Sequence, residues 1–306
     1  MSVSLCIATF RRPDRLRALL DDITRQQLPP SEVIIVDNDA AGSARGIVEQ
    51  WRRVSAPFTI RYEIQPLRNI SVTRNRTVHL ASGKWIAFID DDERAPAAWL
   101  THLVATTERL GADGVLGPVQ PDLPPHAPAW IRRGGFYDWA RMATGTLVPP
   151  NKLRFGNVLL RGALLRESPQ PFDPDYGLTG GEDGDLLARL VQSGARIVWC
   201  DEAIVYEPVE QARLSLRWLV LRALRGGQDF ARHSLRGRFG PMTGVGRVRF
   251  FVGALFRFAT ATVLALLCIP FGRHRCVHWL LRSVANLGKL SLFLGLHYRE
   301  YGAKAP

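Results

Sequence analysis

The sequence has little from which to build a disulfide framework or a zinc site: its 306 residues include four cysteines, Cys6, Cys200, Cys268 and Cys276, none in C-x-x-C spacing. They read as buried thiols in a reducing compartment. Glycine is missing from the segment around the end of the first apolar run, Ala8-Thr9-Phe10-Arg11-Arg12-Pro13, and no G-x-G-x-x-G follows an early strand. That removes a dinucleotide-dependent oxidoreductase and the Gly-rich opening loop of a nucleotidyltransferase. No basic n-region precedes the apolar residues of Met1 to Phe10, so this stretch is expected to be a strand and not a secretory signal, and the catalytic part is expected to stay in the cytoplasm. Acidic residues are scarce at the other end. Up to residue 204 there are 24 Lys and Arg against 24 Asp and Glu, and beyond it 16 against 4, so the whole net charge of +12 belongs to the last third.

That third also holds the longest apolar runs. Phe250 to Phe271, if helical, is about 33 Å long, enough to cross a hydrocarbon core of about 30 Å. Arg257 lies inside it, and Arg247, Arg249, Arg273 and Arg275 flank it, so a re-entrant hairpin or an interfacial helix fits as well as a crossing. Cys276 to Leu296 adds a second, amphipathic stretch with Trp279, Arg282 and Lys289. No nucleic-acid motif accompanies the charge. Residues 226–306 are therefore expected to form a basic, apolar helical region on an anionic membrane surface, with no nucleic-acid partner.

The first 225 residues alternate apolar β-type runs with helical periodicity. Val3 to Ala8, Glu32 to Val36, Phe58 to Ile64, Trp85 to Ile89 and Asp113 to Leu116 read as strands. Between them fall helices over Asp14 to Gln27, Ala44 to Val54 and Ile70 to Leu80, with another opened by Pro96. Such alternation predicts a Rossmann-like, mostly parallel sheet with helices on both faces. Gln120 to Pro150 is rich in Pro, Gly and Trp without periodicity and reads as a long ordered loop region. Val158 to Leu165 resumes regular structure, a helix opens after Gly180-Gly181, and Arg196 to Cys200 reads as another strand.

In a parallel sheet ligands gather outside the carboxyl ends of the strands. Two acidic clusters end strands here, Asp37-Asn38-Asp39 and Asp90-Asp91-Asp92-Glu93. Adjacent aspartates repel unless a cation neutralises them, and in an extended chain Asp90 and Asp92 face the same side. A Mg²⁺ or Mn²⁺ ion completed by diphosphate oxygens meets that need. Gly180-Gly181-Glu182-Asp183 stands at a helix start, where either carboxylate also serves as a cap.

Together these residues resemble the family 2 glycosyltransferases, whose pattern recurs in order: Ala8-Thr9-Phe10-Arg11-Arg12, Val36-Asp37-Asn38, Arg74-Asn75, Asp90-Asp91-Asp92 and Gly181-Glu182-Asp183. The chain is most similar to members that make exopolysaccharides such as succinoglycan. The resemblance implies a GT-A fold and a nucleotide-sugar donor, with Thr9, Arg11, Asp37, Asn38, Arg74 and Asp91 at the donor, Asp37 bonding its base or ribose. It further implies a metal at Asp90 and Asp92, Asp183 as general base and Glu182 orienting it or touching the acceptor. Transfer would invert the anomeric centre onto a carbohydrate or lipid-linked hydroxyl at the cytoplasmic face of the inner membrane. Arg68 and Arg76 are further candidates for the diphosphate.

Departures from neighbouring patterns narrow the reading. Leu214 stands where processive synthases carry the Gln of Q-x-x-R-W, although Arg217 and Trp218 are present, so a single transfer is expected. Arg94 stands where a phosphatase of the haloacid dehalogenase type requires Thr or Val. Glu207 falls where some relatives place a metal-ligating histidine. A catalytically inactive membrane adaptor on the same fold would be expected to lack one of the acidic clusters, and both are present.

Overall fold

The computed structural model describes residues 1–53, 57–296 and 298. Its described residues divide into two units: 1–120 with 139–207, and 121–138 with the described residues from 208 to 298. The division expected at residue 225 would have cut through a single helix, α8 (Leu216–Leu235), which belongs whole to the second unit.

Seven strands form the first unit's sheet: β1 (Val3–Thr9), β2 (Glu32–Asp37), β3 (Thr59–Ile64), β4 (Trp85–Ile89), β5 (Gly114–Leu116), β7 (Asn157–Arg161) and β8 (Ile197–Trp199), in the order β3-β2-β1-β4-β7-β5-β8. All run parallel except β7, which is antiparallel to both of its neighbours. β1, β2 and β4 are buried along almost their whole length, as the near-continuous apolar runs require of a sheet covered on both faces. Alternate residues part to the two faces. Leu5, Ile7, Val33, Ile35 and Ala87 meet the apolar sides of α1 (Pro13–Thr24), α2 (Arg45–Arg52) and α4 (Trp99–Leu110). Cys6, Ile34, Ile86, Phe88 and Val158 meet α3 (Ile70–Leu80), α6 (Gly162–Arg166) and α7 (Glu182–Gln192). The helix expected over 44–54 is α2; residue 54 lies outside the described residues.

The segment read as a loop, 120–150, contains structure that its composition conceals: β6 (Val119–Asp122) and α5 (Ala129–Gly134). β6 pairs with β9 (Val205–Pro208) in a separate two-stranded sheet.

The second unit has a small core of its own, in which Ile131, Tyr137 and Leu219 are buried and Tyr137 stacks on Trp218 at 5.7 Å. Beyond it stand α8, α9 (Gly244–Leu267) and α10 (Arg273–Ser291), and here the usual polarity of a helical bundle is reversed. The residues buried between them are small or polar: Gly227, Gln228, Ala254, Ala261, Ser283 and Gly288 among them. A Cβ on Gly227 would overlap the Ala285 carbonyl, and one on Gly288 the Leu224 carbonyl, so α8 and α10 meet backbone to backbone. Polar side chains bond across the interfaces, Thr262 Oγ1 with Ser283 Oγ at 2.7 Å and Gln228 Nε2 to Ser291 Oγ at 2.8 Å. The large apolar side chains of α9 point outward: Val248, Val252, Leu255, Phe256, Leu266 and Leu267 are all exposed.

Candidate active site

β1 lies between β2 and β4, so the chain runs outward in opposite directions on its two sides, and the carboxyl ends of these strands open a crevice. Thr9, the last residue of β1, donates its hydroxyl to Asp91 Oδ2 at 2.7 Å. Arg12 reaches the same cluster from the start of α1, with Nη1 at 3.1 Å from Asp91 Oδ1 and 2.9 Å from Asp92 Oδ2. Between them Arg11 adopts φ +55°, the one left-handed non-glycine among the described residues, and its side chain pairs with Asp39 at 3.3 Å. A left-handed arginine is a strained conformation of the kind that collects at ligand sites.

Arg74, on α3, bridges the acidic turn to the start of α7. It donates to Asp90 Oδ1 at 3.0 Å and to Glu182 Oε1 at 2.6 Å, and its guanidinium lies over Phe155 at 4.7 Å. Glu182 is buried, and its other oxygen, Oε2, has no hydrogen-bond partner. Burial raises its pKa above the ordinary carboxylate range; Arg74 opposes this, and Asp183 and Asp90 reinforce it. Gly181, in the left-handed region, precedes the helix without a side-chain cap, and Asp183 Oδ1 accepts the first-turn N–H of Gly184 at 2.7 Å. Asp183 remains partly open to solvent, close enough to Asp90, Glu182 and Arg154 to influence their charge states.

Glu93 folds back beneath the turn and accepts the Asp90 N–H at 3.1 Å. Gly156, at φ +100°, passes so close that a Cβ there would lie 2.7 Å from Glu93 Oε1 and 3.5 Å from Asp90 Oδ2. Burial pushes Asp91 up to about 6 and Glu93 well above its ordinary range, with neighbouring carboxylates adding to both and Arg12 opposing at Asp91. Asp90, although crowded by protein, keeps 47% of its side chain accessible. Its pKa is raised too, by burial and by the charges of Asp92 and Asp183 against the pull of Arg74.

Asp37 and Asn38 are held by hydrogen bonds at the end of β2. Asp37 is fully buried, its Oδ1 accepting the Asp39 N–H at 2.9 Å and its Oδ2 the Ala44 N–H at 2.8 Å and the Tyr62 hydroxyl at 3.0 Å. Asn38 donates to the carbonyls of Gln65 and Leu67 and accepts the Asn69 N–H. Both shape the loops around the crevice because their polar atoms are committed to backbone. Arg76 pairs with Glu63 at 2.6 Å, whereas Arg68 and Arg11 both lie against Phe10, at 4.9 and 5.0 Å. Glu207 raises the pKa of Glu93 by its charge, which brings it near the acidic turn.

Sequence reasoning placed Arg12 and Glu93 in their motifs without giving either a role, and missed Arg154 and Asn157. Asn157 opens the reversed strand and ties the crevice together, accepting the Trp99 indole N–H at 2.8 Å and donating to the carbonyls of Pro118 and Ala203. The paired Arg11-Arg12 immediately before Pro13 was the available signal for Arg12, since a helix start beside a second acidic strand end invites such a bridge.

A hard divalent cation fits this donor set. The acidic turn offers only oxygen ligands, and its three consecutive aspartates, Asp90, Asp91 and Asp92, stand against the two arginines Arg12 and Arg74. Among the described residues no three Asp, Glu, His or Cys side chains form a ready-made cage. A cation here would take Asp90 and Asp92 from the protein and its remaining oxygens from a bound phosphate group, the habit of Mg²⁺ in phosphate-handling sites.

A crevice at the switch point of a doubly wound sheet, closed by an acidic turn and a second carboxylate helix start, is the GT-A arrangement, and the chain belongs to glycosyltransferase family 2. Residues 4–144 match the Glycosyl transferase family 2 profile. Among individual relatives, the chain is 35% identical to the succinoglycan biosynthesis protein ExoM of Rhizobium meliloti over 99% of its own length and 97% of the relative's. It is 29% identical to the galactofuranosyltransferase GlfT1 of Mycobacterium tuberculosis, covering 68% of this chain and 70% of that one. The fold is shared with a mannosyltransferase of Pyrobaculum calidifontis solved with GDP-Man and Mn²⁺, at TM-score 0.62 and 17% identity, over 94% of this chain and 86% of the other. The protein is therefore a glycosyltransferase.

Proposed function

We propose that the chain transfers one sugar, with inversion, from a nucleotide-diphosphate sugar to a hydroxyl of a carbohydrate or lipid-linked acceptor in cell-surface polysaccharide synthesis, at the cytoplasmic face of the inner membrane. One observation carries this reading: Arg74 couples Asp90 of the acidic turn to Glu182, which immediately precedes Asp183. The donor-handling charges and the base thus share one rigid frame.

In this mechanism Thr9 and Arg12 hold Asp91 and Asp92 in place, and Arg11 and Arg68, both against Phe10, provide positive charge on the nucleotide side. Asp183 accepts the proton of the acceptor hydroxyl as that oxygen attacks the anomeric carbon. Glu182, held by Arg74, orients the helix start. Attack opposite the leaving diphosphate inverts the configuration and needs no covalent enzyme intermediate. A bound Mg²⁺ or Mn²⁺ at Asp90 and Asp92 would offset the charge growing on the leaving group. The full-length similarity to ExoM supports an exopolysaccharide product.

The membrane reading draws on the second unit. In water, a helix that exposes Phe256, Leu266 and Leu267 while burying Ala254, Ala261 and Ala265 turns its less hydrophobic side inward. In lipid the same arrangement is favourable, because small residues and interhelical hydrogen bonds hold helices together there. α9 is long and apolar enough to cross a membrane, and 17% of its most apolar window is buried.

The test is Asp183→Asn. Transfer should fall by at least a hundredfold while donor binding stays within twofold of wild type; unimpaired transfer would remove Asp183 from the base role.

A further inference from the structure

A second feature of the first unit stands apart from the donor crevice. At the carboxyl ends of β5 and β8 lies a cavity of about 140 Å³, lined by the buried Phe155 and Trp199 and by Trp139, Lys152 and Arg154. This is smaller than the roughly 300 Å³ at which sites for drug-sized ligands begin. It suits a single sugar ring. In the sheet order β5 is three strands from β1, about 14 Å at the usual spacing, so the cavity is separate from the nucleotide side formed at β1 and β2.

The cations of this cavity differ from those of the donor crevice. Arg11, Arg12 and Arg74 each hold a carboxylate. Among the described residues, Arg154 makes no hydrogen bond or ion pair. Its guanidinium carbon lies over the Trp139 ring, 4.4 Å from the centroid. Stacking of this kind fixes the plane of the guanidinium and leaves its N–H edge free for a planar or tetrahedral oxyanion. Crowding by protein lowers the Arg154 pKa, while the Asp183 carboxylate acts to raise it. Arg154 is exposed and open to a ligand from solvent, and its guanidinium lies within reach of the charge of Asp183, the residue assigned to deprotonate the acceptor. The Lys152 side chain likewise forms no hydrogen bond or ion pair among the described residues, and it is exposed.

We propose that this cavity is the acceptor subsite and that it takes a sugar unit bearing an anionic group, a carboxylate or a phosphate, which Arg154 and Lys152 hold beside Asp183. The inference rests on Asp183 being the general base. It makes charge on the acceptor a determinant of specificity, supplied by a cavity that the donor does not use.

The full chain is titrated calorimetrically with methyl β-glucuronide, glucose 6-phosphate and neutral methyl β-glucoside, and separately with UDP and GDP in the presence of Mn²⁺. At least one anionic sugar should bind tenfold or more tightly than the glucoside. Arg154→Gln should remove that preference and Arg154→Lys restore part of it, with nucleotide binding unchanged. The two anionic probes distinguish a carboxylate from a phosphate as the recognised group. Equal binding of the glucoside, no sugar binding to the folded wild type, or an Arg154→Gln defect confined to nucleotide would each overturn the proposal. Binding of an anionic sugar with the Arg154 dependence, but of neither nucleotide, would leave the anion subsite standing and count against the transferase reading instead.

Discussion

Replacing Arg74 with Gln should be among the most damaging single changes in the catalytic unit. Arg74 is 8% exposed and holds Glu182, which is 2% exposed, at 2.6 Å. The Glu182 Oε2 is already without a partner, so the substitution leaves a wholly uncompensated buried carboxylate facing Asp90. Removing one member of a buried pair costs about 3–5 kcal/mol, or about 6–20 °C in Tm at the roughly 2–4 °C per kcal/mol expected for a unit of this size. The loss should depend on pH with a definite sign. Burial holds the folded pKa of Glu182 above its unfolded value, and removing the Arg74 charge raises it further. A carboxylate raised in this way costs stability as pH climbs from the unfolded to the folded value. The variant's deficit should therefore be smallest from about pH 5 to about 7, where both proteins protonate Glu182 alike, and should grow as pH rises above about 7. Thermal unfolding followed by circular dichroism across that range measures it, and Arg74→Gln with Glu182→Gln should recover most of the loss, because the orphaned charge is gone. A deficit under about 1 kcal/mol with no pH dependence, or no recovery in the double variant, would refute the claim that Arg74 neutralises a buried Glu182.

Two further outcomes are expected. Gly156→Ala forces a side chain into the left-handed region and sets its Cβ 2.7 Å from Glu93 Oε1, so it should cost about 1–3 kcal/mol and displace the acidic turn, visible as a lowered Tm together with weakened donor affinity. Phe256→Asp, on the exposed face of α9, should cut binding to vesicles of anionic phospholipid at least fivefold in a flotation assay and leave folding unchanged; undiminished flotation would place the lipid contact elsewhere.

The parts of the fold that were legible in the sequence were those with local causes. β1, β2 and β4 are buried on both faces and therefore appear as unbroken apolar runs, and α3 matches its expected bounds of 70–80 with Asn69 capping it at the Val72 N–H. β7 could be read as regular structure, but its reversal depends on pairing with β4 and β5, which no local pattern encodes. The short β6 is hidden among prolines, and the pairing of β6 with β9 is likewise not encoded locally. In the site, the acidic strand ends were visible because carboxylates after an apolar run are conspicuous. Their counter-ions were not: Arg12 lies 79 residues from Asp91, and Arg74 lies 108 from Glu182. Asp37 shows the converse limit. Its position at a strand end drew attention, yet the fold spends its oxygens on Asp39, Ala44 and Tyr62. In the second unit the charge imbalance was plain from composition, whereas the reversed polarity of α8 to α10 emerges only from which faces meet.

The central claim is that a divalent cation and the acidic turn together bind a nucleotide-sugar donor. Its most direct test is calorimetric titration of the folded chain with UDP-, GDP- and TDP-sugars, with Mn²⁺ and with EDTA, for wild type and Asp92→Ala. One donor class should bind with Mn²⁺, lose at least tenfold in EDTA and lose at least tenfold in the variant. Binding that is indifferent to both the metal and Asp92, or no donor bound by the folded wild type, would contradict it.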